Sequence, residues 1–159
     1  MFILVRATVY ATFFVAVLLV LLPARIVGDA GMARARSFGF EQIVAGALVL
    51  LGSALVVGCI TAFVFLGRGT PAPFDPPRRL VIRGPYRWIR NPMYVGAGAA
   101  LFGAALYYRS LPLAAYGLAF MVALHLFVVI YEEPALRRTF GREYQVYCER
   151  TGRWWPRSR

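Results

Sequence analysis

Four apolar stretches divide the chain, at residues 2–22, 44–66, 93–108 and 111–131. A helix needs roughly 20 apolar residues to cross a hydrocarbon core of about 30 Å, so each stretch reads as a membrane span. The second is the clearest, because its 23 residues carry no charge. The third has only 16 residues, which fits a span tucked among its neighbours or one that locally thins the bilayer. Gly96, Gly98, Ala99, Ala100 and Gly103 give it a small-residue surface that another helix can approach closely. Only Arg109 and Ser110 separate it from the fourth stretch, so these two form a tight antiparallel hairpin. The first stretch has a competing reading as a secretory signal, with Arg6 ahead of the apolar run and Ala33 and Ala35 beyond it in an A-x-A pattern. That run exceeds the roughly 7 to 15 residues of a signal core, which favours a retained span.

Between spans two and three lies a polar segment from Gly67 to Tyr94, too rich in proline to be one helix. Pro71, Pro73, Pro76 and Pro77 favour an extended start, and Gly84 with Pro85 marks a turn. Something outside the segment must order it. After span four, Leu136, Phe140, Tyr144 and Tyr147 recur at helical spacing, with Arg137, Arg138, Arg142, Glu149 and Arg150 filling the other positions. This predicts a basic amphipathic helix at the membrane surface or packed on the loop, and Trp154 and Trp155 just beyond it suit the interface. An anchor and a lid over a site are both open readings of it.

Composition agrees with the pattern. Of 159 residues 60% are hydrophobic and the mean hydropathy is +0.62, far above a soluble domain. At this length one unit is expected, a single membrane domain over residues 1–159, all α-helical, with no room for a separate soluble domain. All 18 basic residues are arginine against 7 acidic ones, a net charge of +11. Because the arginines gather at the ends of apolar runs, they fit lipid headgroups rather than nucleic acid. Arg68, Arg78, Arg79, Arg83, Arg87 and Arg90 precede span three and seven more follow span four, whereas only Arg25, Arg34, Arg36 and Arg109 lie on the other side. The positive-inside rule makes the central loop and both termini cytoplasmic, as in a bacterial-type inner membrane. Cys59 and Cys148 suggest no disulfide framework, and no metal-ligand spacing occurs.

The polar residues near membrane depth are the candidates for chemistry. Asn91 and Pro92 resemble an N-cap and first helical position opening span three, whose N–H groups suit an anionic group such as a carboxylate, although an ordinary basic loop touching phospholipid headgroups is the reading that physics alone favours. Glu132 and Glu133 close span four in a protein otherwise basic there, with loop arginines or a bound cation as partners. His125 stands seven residues before Glu132, on nearly one helical face. A lone helical histidine is more often a packing residue than a base. With no G-x-G-x-x-G after a strand and no P-loop, any cofactor must be held by the loop and the helix ends.

Two runs, LVIRGPYRWIRNPMYVG and YEEPALRRTFGREYQVYCERTGRWWP, resemble the signature of the isoprenylcysteine carboxyl methyltransferase and phospholipid methyltransferase superfamily. The resemblance covers residues 67–156. It implies S-adenosylmethionine as cofactor, held by Arg78, Arg79, Leu80, Val81, Tyr86, Asn91, Pro92, Met93, Tyr94 and Glu132. It also implies a lipophilic or amphiphilic acceptor reached from the bilayer. Asn91 stands where many members have histidine, which removes a catalytic imidazole there. Val128 stands where the isoprenylcysteine enzymes carry a carboxylate-binding arginine, so a prenylcysteine acceptor loses its anchor. Arg87, Arg90 and His125 are the remaining positioning candidates. The acceptor and the oligomeric state stay open, and so do two other functions. Membrane sterol reductases using NADPH resemble the same C-terminal region, although this chain is short for enclosing a sterol. A lipid-binding membrane subunit without activity is the non-enzymatic reading.

Overall fold

The computed structural model describes residue 13 and residues 15–29, 39–67 and 79–157, and all regular elements among them are helical. Arg6, Ala33, Ala35 and the proline-rich stretch 68–78 lie outside the described residues, as does most of the expected start of span one.

Helix α1, Leu22–Asp29, follows a wide-turn helix, Val15–Leu21. Helical structure thus runs past the expected end at Leu22. Pro23 has no N–H to give the carbonyl of Leu18, five residues earlier. The Tyr116 hydroxyl donates to that carbonyl instead, at 2.9 Å, tying this segment to the fourth apolar stretch.

Helix α2, Phe40–Ala62, continues through a wide turn, Phe63–Gly67, so that Phe40–Gly67 forms one apolar helix of 28 residues. It begins before the expected residue 44 because polar side chains make its first turn favourable. Gln42 Oε1 accepts the Gly39 N–H at 2.9 Å, and Glu41 suits the positive end of the helix dipole.

Helix α3, Pro92–Tyr107, has 16 residues and packs along α2 through glycine. A Cβ on Gly52 would stand 2.5 Å from the Gly96 carbonyl, and one on Gly103 would stand 2.9 Å from that of Ala45. Of the small-residue surface expected in span three, Gly96 and Gly103 form the α2–α3 contact, whereas Gly98 faces Met121 on the next helix, where a Cβ would stand 2.7 Å from the Met121 sulfur.

Helix α4, Leu111–Phe127, follows directly after a tight turn in which Arg109 has φ 48°. Ser110 caps it by accepting the Leu113 N–H at 3.3 Å. Across the turn Arg109 meets Glu41 at 2.7 Å. The start of α2, the end of α3 and the start of α4 therefore share one end of the molecule.

A wide turn, Val128–Glu132, joins α4 to α5, Glu133–Arg150, in one helical run. The expected single amphipathic helix is corrected here. Gly141 adopts φ 51°, ψ −121°, and α5 is two arms, residues 133–140 and 142–150. A straight helix would carry Arg153 about 30 Å from Glu133, yet their side chains are hydrogen-bonded at 2.7 Å. The second arm must fold back, so Leu136, Phe140, Tyr144 and Tyr147 do not form one continuous stripe. Only Tyr144 among them is buried.

Large apolar side chains point outward along these helices. Leu50 is 73% and Leu51 70% exposed on α2, and Leu118, Val122 and Leu126 are exposed on α4. Such a surface is incompatible with water as the surrounding solvent. Phe40–Gly67 and Leu111–Arg150 are long and apolar enough to cross a membrane, while Ala16–Gly28 and Pro92–Tyr107 are shorter apolar helices.

Candidate functional site

The chain returned by Gly141 anchors residues 86–90 of the polar loop. Tyr147 donates its hydroxyl to the Tyr86 carbonyl at 2.6 Å, and the Arg90 N–H donates to the Gly152 carbonyl at 2.8 Å. Ile89 and Gly152 form a parallel bridge. Between these anchors Pro85 opens a 3-10 turn, Gly84–Arg87, with Gly84 at φ 62°. The turn drives Tyr86 into an apolar cluster with Cys59, Ala62 and Val81, against which Met93 packs. Its ring meets Phe63 edge-on at 5.3 Å.

Asn91 stands immediately before α3, as expected, but its side chain caps nothing. Buried, it donates instead to the Arg153 carbonyl at 3.2 Å. The reason is competition. Once the C-terminal segment lies alongside residues 89–91, a fixed carbonyl is at hand, and the first turn of α3 keeps its N–H groups uncapped by this side chain.

Two adjacent carboxylates sit where α4 passes into α5, and they have different surroundings. Glu133, 5% exposed, receives Arg153 Nε at 2.7 Å and Nη2 at 2.9 Å, with Arg90 Nη2 at 3.1 Å. Burial alone would raise its carboxyl, but the Arg153 hydrogen bonds and the charges of Arg90, Arg153 and Arg137 outweigh it and hold the group below its ordinary value. Glu132 is half-buried and accepts the Tyr94 hydroxyl at 2.9 Å. No arginine among the described residues pairs with it. One glutamate clasps three segments together, and its neighbour has no cationic partner among the described residues.

On the same side of α3, a cleft of about 520 Å³ opens against α4. Val95, Gly98, Ala99 and Phe102 form one wall, Met121, Val122 and His125 the other, and Trp154 and Trp155 close the end. His125 Nδ1 accepts the Trp154 indole N–H at 3.2 Å. His125 and Glu132 thus both look toward α3, one across the cleft and one at Tyr94, the residue before Val95.

Other expected site residues are placed differently. Arg78 lies outside the described residues. Arg79 is exposed, its N–H donating to the Gly67 carbonyl at 3.3 Å. Leu80 and Arg87 line a second groove on the far side of the loop, where Arg87 also lies 4.6 Å over the Trp88 ring. Arg90 is held in the clasp, and its Nε is buried without a hydrogen-bond partner among the described residues. Val128 is fully buried, which suits an apolar residue at that position. Sequence reasoning missed Arg153 and Tyr147 as ordering residues, since each acts on a partner 20 or 61 positions away.

Residues 40–143 match the family model described as phospholipid methyltransferase. No curated protein and no solved structure matches the chain.

Proposed function

This chain belongs to the phospholipid methyltransferase family, and we propose on that premise that it transfers a methyl group from S-adenosylmethionine to a lipophilic or amphiphilic acceptor. Family membership implies methyltransferase activity in a membrane. The cofactor, the acceptor class and the site residues are the proposal. The observation that carries it is Glu132, a half-buried carboxyl group that pairs with no cation among the described residues and accepts from Tyr94, the residue before Val95 in the cleft wall.

The residues present fit the cofactor's amino-acid end. Among the described residues Glu132 has Tyr94 but no cation as partner, which suits an ammonium, and the buried Nε–H of Arg90 has no acceptor, which suits a carboxylate. The uncapped first turn of α3 adds partial positive charge for the same carboxylate. Val81, Tyr86, Asn91, Pro92, Met93 and Tyr94 form the surrounding wall in this proposal, and Leu80, on the far side of the loop, stands outside it. When bound, the cofactor supplies a sulfonium methyl group open to in-line displacement, a reaction that depends on close approach and alignment. The chain's own part is positional. Tyr94 orients the Glu132 carboxylate, the Glu133 clasp fixes the backbone beside it, and the cleft holds an apolar acceptor away from water. While neutral, His125 keeps its proton on Nε2, because Nδ1 is engaged by Trp154. It is a positioning donor at the cleft mouth in this reading, and Arg87 is assigned outside the site.

The topology proposed is one membrane domain over residues 1–159 with four spans, the short α3 rising only about 24 Å. Arginine asymmetry supports a cytoplasmic loop and cytoplasmic termini in a bacterial-type inner membrane. Incubating purified protein and host membranes with methyl-labelled S-adenosylmethionine tests the reaction. Extractable lipid label supports it, and absence of transfer from a monodisperse sample that binds the cofactor contradicts the acceptor class. No observation favours the reductase or the inactive subunit.

A further inference from the structure

The far side of the loop carries a second concavity, of about 830 Å³, between residues 80–87 and the returning arm of α5. Four arginines line it, Arg87 from the loop, Arg142 and Arg150 from the arm, and Arg157 beyond it. None of the four forms an ion pair with a carboxylate among the described residues. Glu143 and Glu149 also line the groove, so its net charge is positive but not extreme. Arg157 Nη1 already donates to the Cys148 and Glu149 carbonyls, at 3.2 and 3.0 Å. Arg87, Arg142 and Arg150 have no such engagement with a carbonyl or carboxylate among the described residues.

Two further features decide what such a groove takes. Its remaining wall is apolar, from Leu80, Ile82, Val146 and Tyr147, and Ile82 is 45% exposed. Its height is fixed as well, because Tyr147 is bonded to Tyr86 and Gly152 to Arg90, directly before α3 begins at Pro92. Guanidinium groups beside apolar side chains at the first turn of an apolar helix face the headgroup layer.

We propose that this groove binds the phosphate headgroup of an anionic phospholipid. Arginine suits phosphate through its planar fork of donors, and the apolar wall suits the glycerol and upper chain of the same molecule. An occupant there touches both the loop and the returning arm, so it fastens together the two segments that close the candidate site. The assignment does not depend on methyl transfer.

The test uses the full chain in detergent micelles, titrated with phosphatidylglycerol, phosphatidylcholine or inorganic phosphate. The readouts are the melting temperature and the lipid retained in native mass spectrometry. Phosphatidylglycerol should raise the melting temperature, phosphatidylcholine should not, and the gain should shrink at high salt. Arg142→Gln/Arg150→Gln should weaken phosphatidylglycerol binding by about tenfold or more. Arg87→Gln, on the opposite wall, should weaken it as well. Arg109→Gln, at the other end of the molecule, should not. Equal stabilisation by both lipids overturns the proposal, and so does unchanged phosphatidylglycerol affinity in both groove variants. Inorganic phosphate that stabilises as well as the lipid and displaces it assigns the groove to a free phosphate, which also overturns it.

Discussion

Tyr94 on α3 donates its hydroxyl to Glu132 at the end of α4, 2.9 Å away, while the next residue, Glu133, is taken by two arginines. The pair joins the short helix to the long one at the end of the molecule where the loop and the returning arm meet. Two neighbouring carboxylates therefore have separable duties, and substitutions can tell them apart.

Glu133→Ala leaves Arg90 and Arg153 without their counter-charge in a largely buried site. Breaking a buried pair from one side costs about 3 to 5 kcal/mol, and partial exposure of Arg153 places the loss toward the lower figure. A clearly reduced melting temperature of the purified protein is expected, whereas Glu132→Gln should melt within a degree or two of the parent.

The same clasp sets a pH dependence. The folded-state Glu133 carboxyl lies below its ordinary value of 4.5, so it contributes stability that is complete above that pH. The contribution is lost as pH falls below 4.5 toward the folded value. Melting temperatures of the parent and Glu133→Gln should differ at neutral pH and converge in acid. A constant difference across that range would contradict the clasp.

Tyr94→Phe removes one hydrogen bond to a carboxylate and keeps the ring. Cofactor affinity should fall by roughly three- to tenfold, equivalent to about 1 kcal/mol, with little change in melting temperature. Calorimetric titration reads both the affinity and its enthalpy.

Packing between α2 and α3 has no slack at Gly52. Its added Cβ would meet the Gly96 carbonyl at 2.5 Å and the Ala100 nitrogen at 2.8 Å, both backbone atoms that cannot rotate aside. Gly52→Val should cost about 3 kcal/mol or prevent folding. Gly46→Val, where a Cβ meets nothing within 4 Å, is the matched control and should behave as the parent in a thermal melt.

Much of this arrangement was legible in the chain before its fold was known. Hydropathy located the two long helices, Gly96 and Gly103 of the small-residue stripe marked the α2–α3 contact while Gly98 faces α4, and the paired glutamates stood out against an arginine-rich background. What escaped was long-range or local in a way that pattern cannot express. Gly141 sits inside a sequence that keeps helical periodicity on both sides, and glycine in such a run does not announce a reversal. Once α5 turns back, Arg153 reaches Glu133 and Tyr147 reaches Tyr86, contacts that no spacing rule contains. Asn91 was readable as the residue opening α3, but its side-chain partner is the Arg153 carbonyl, supplied by that same returning segment. The start of α2 at Phe40 was hidden because Glu41 and Gln42 read as polar boundary when they are the first turn itself.

The central claim is that Glu132 is kept free to hold the cofactor. Isothermal titration of S-adenosylmethionine into purified parent, Glu132→Gln and Glu133→Gln proteins tests it directly. The account predicts saturable one-site binding to the parent, a loss of about tenfold or more in Glu132→Gln at unchanged melting temperature, and a far smaller loss in whatever Glu133→Gln protein remains folded. No binding by a well-folded parent, or equal affinities in all three, would contradict it.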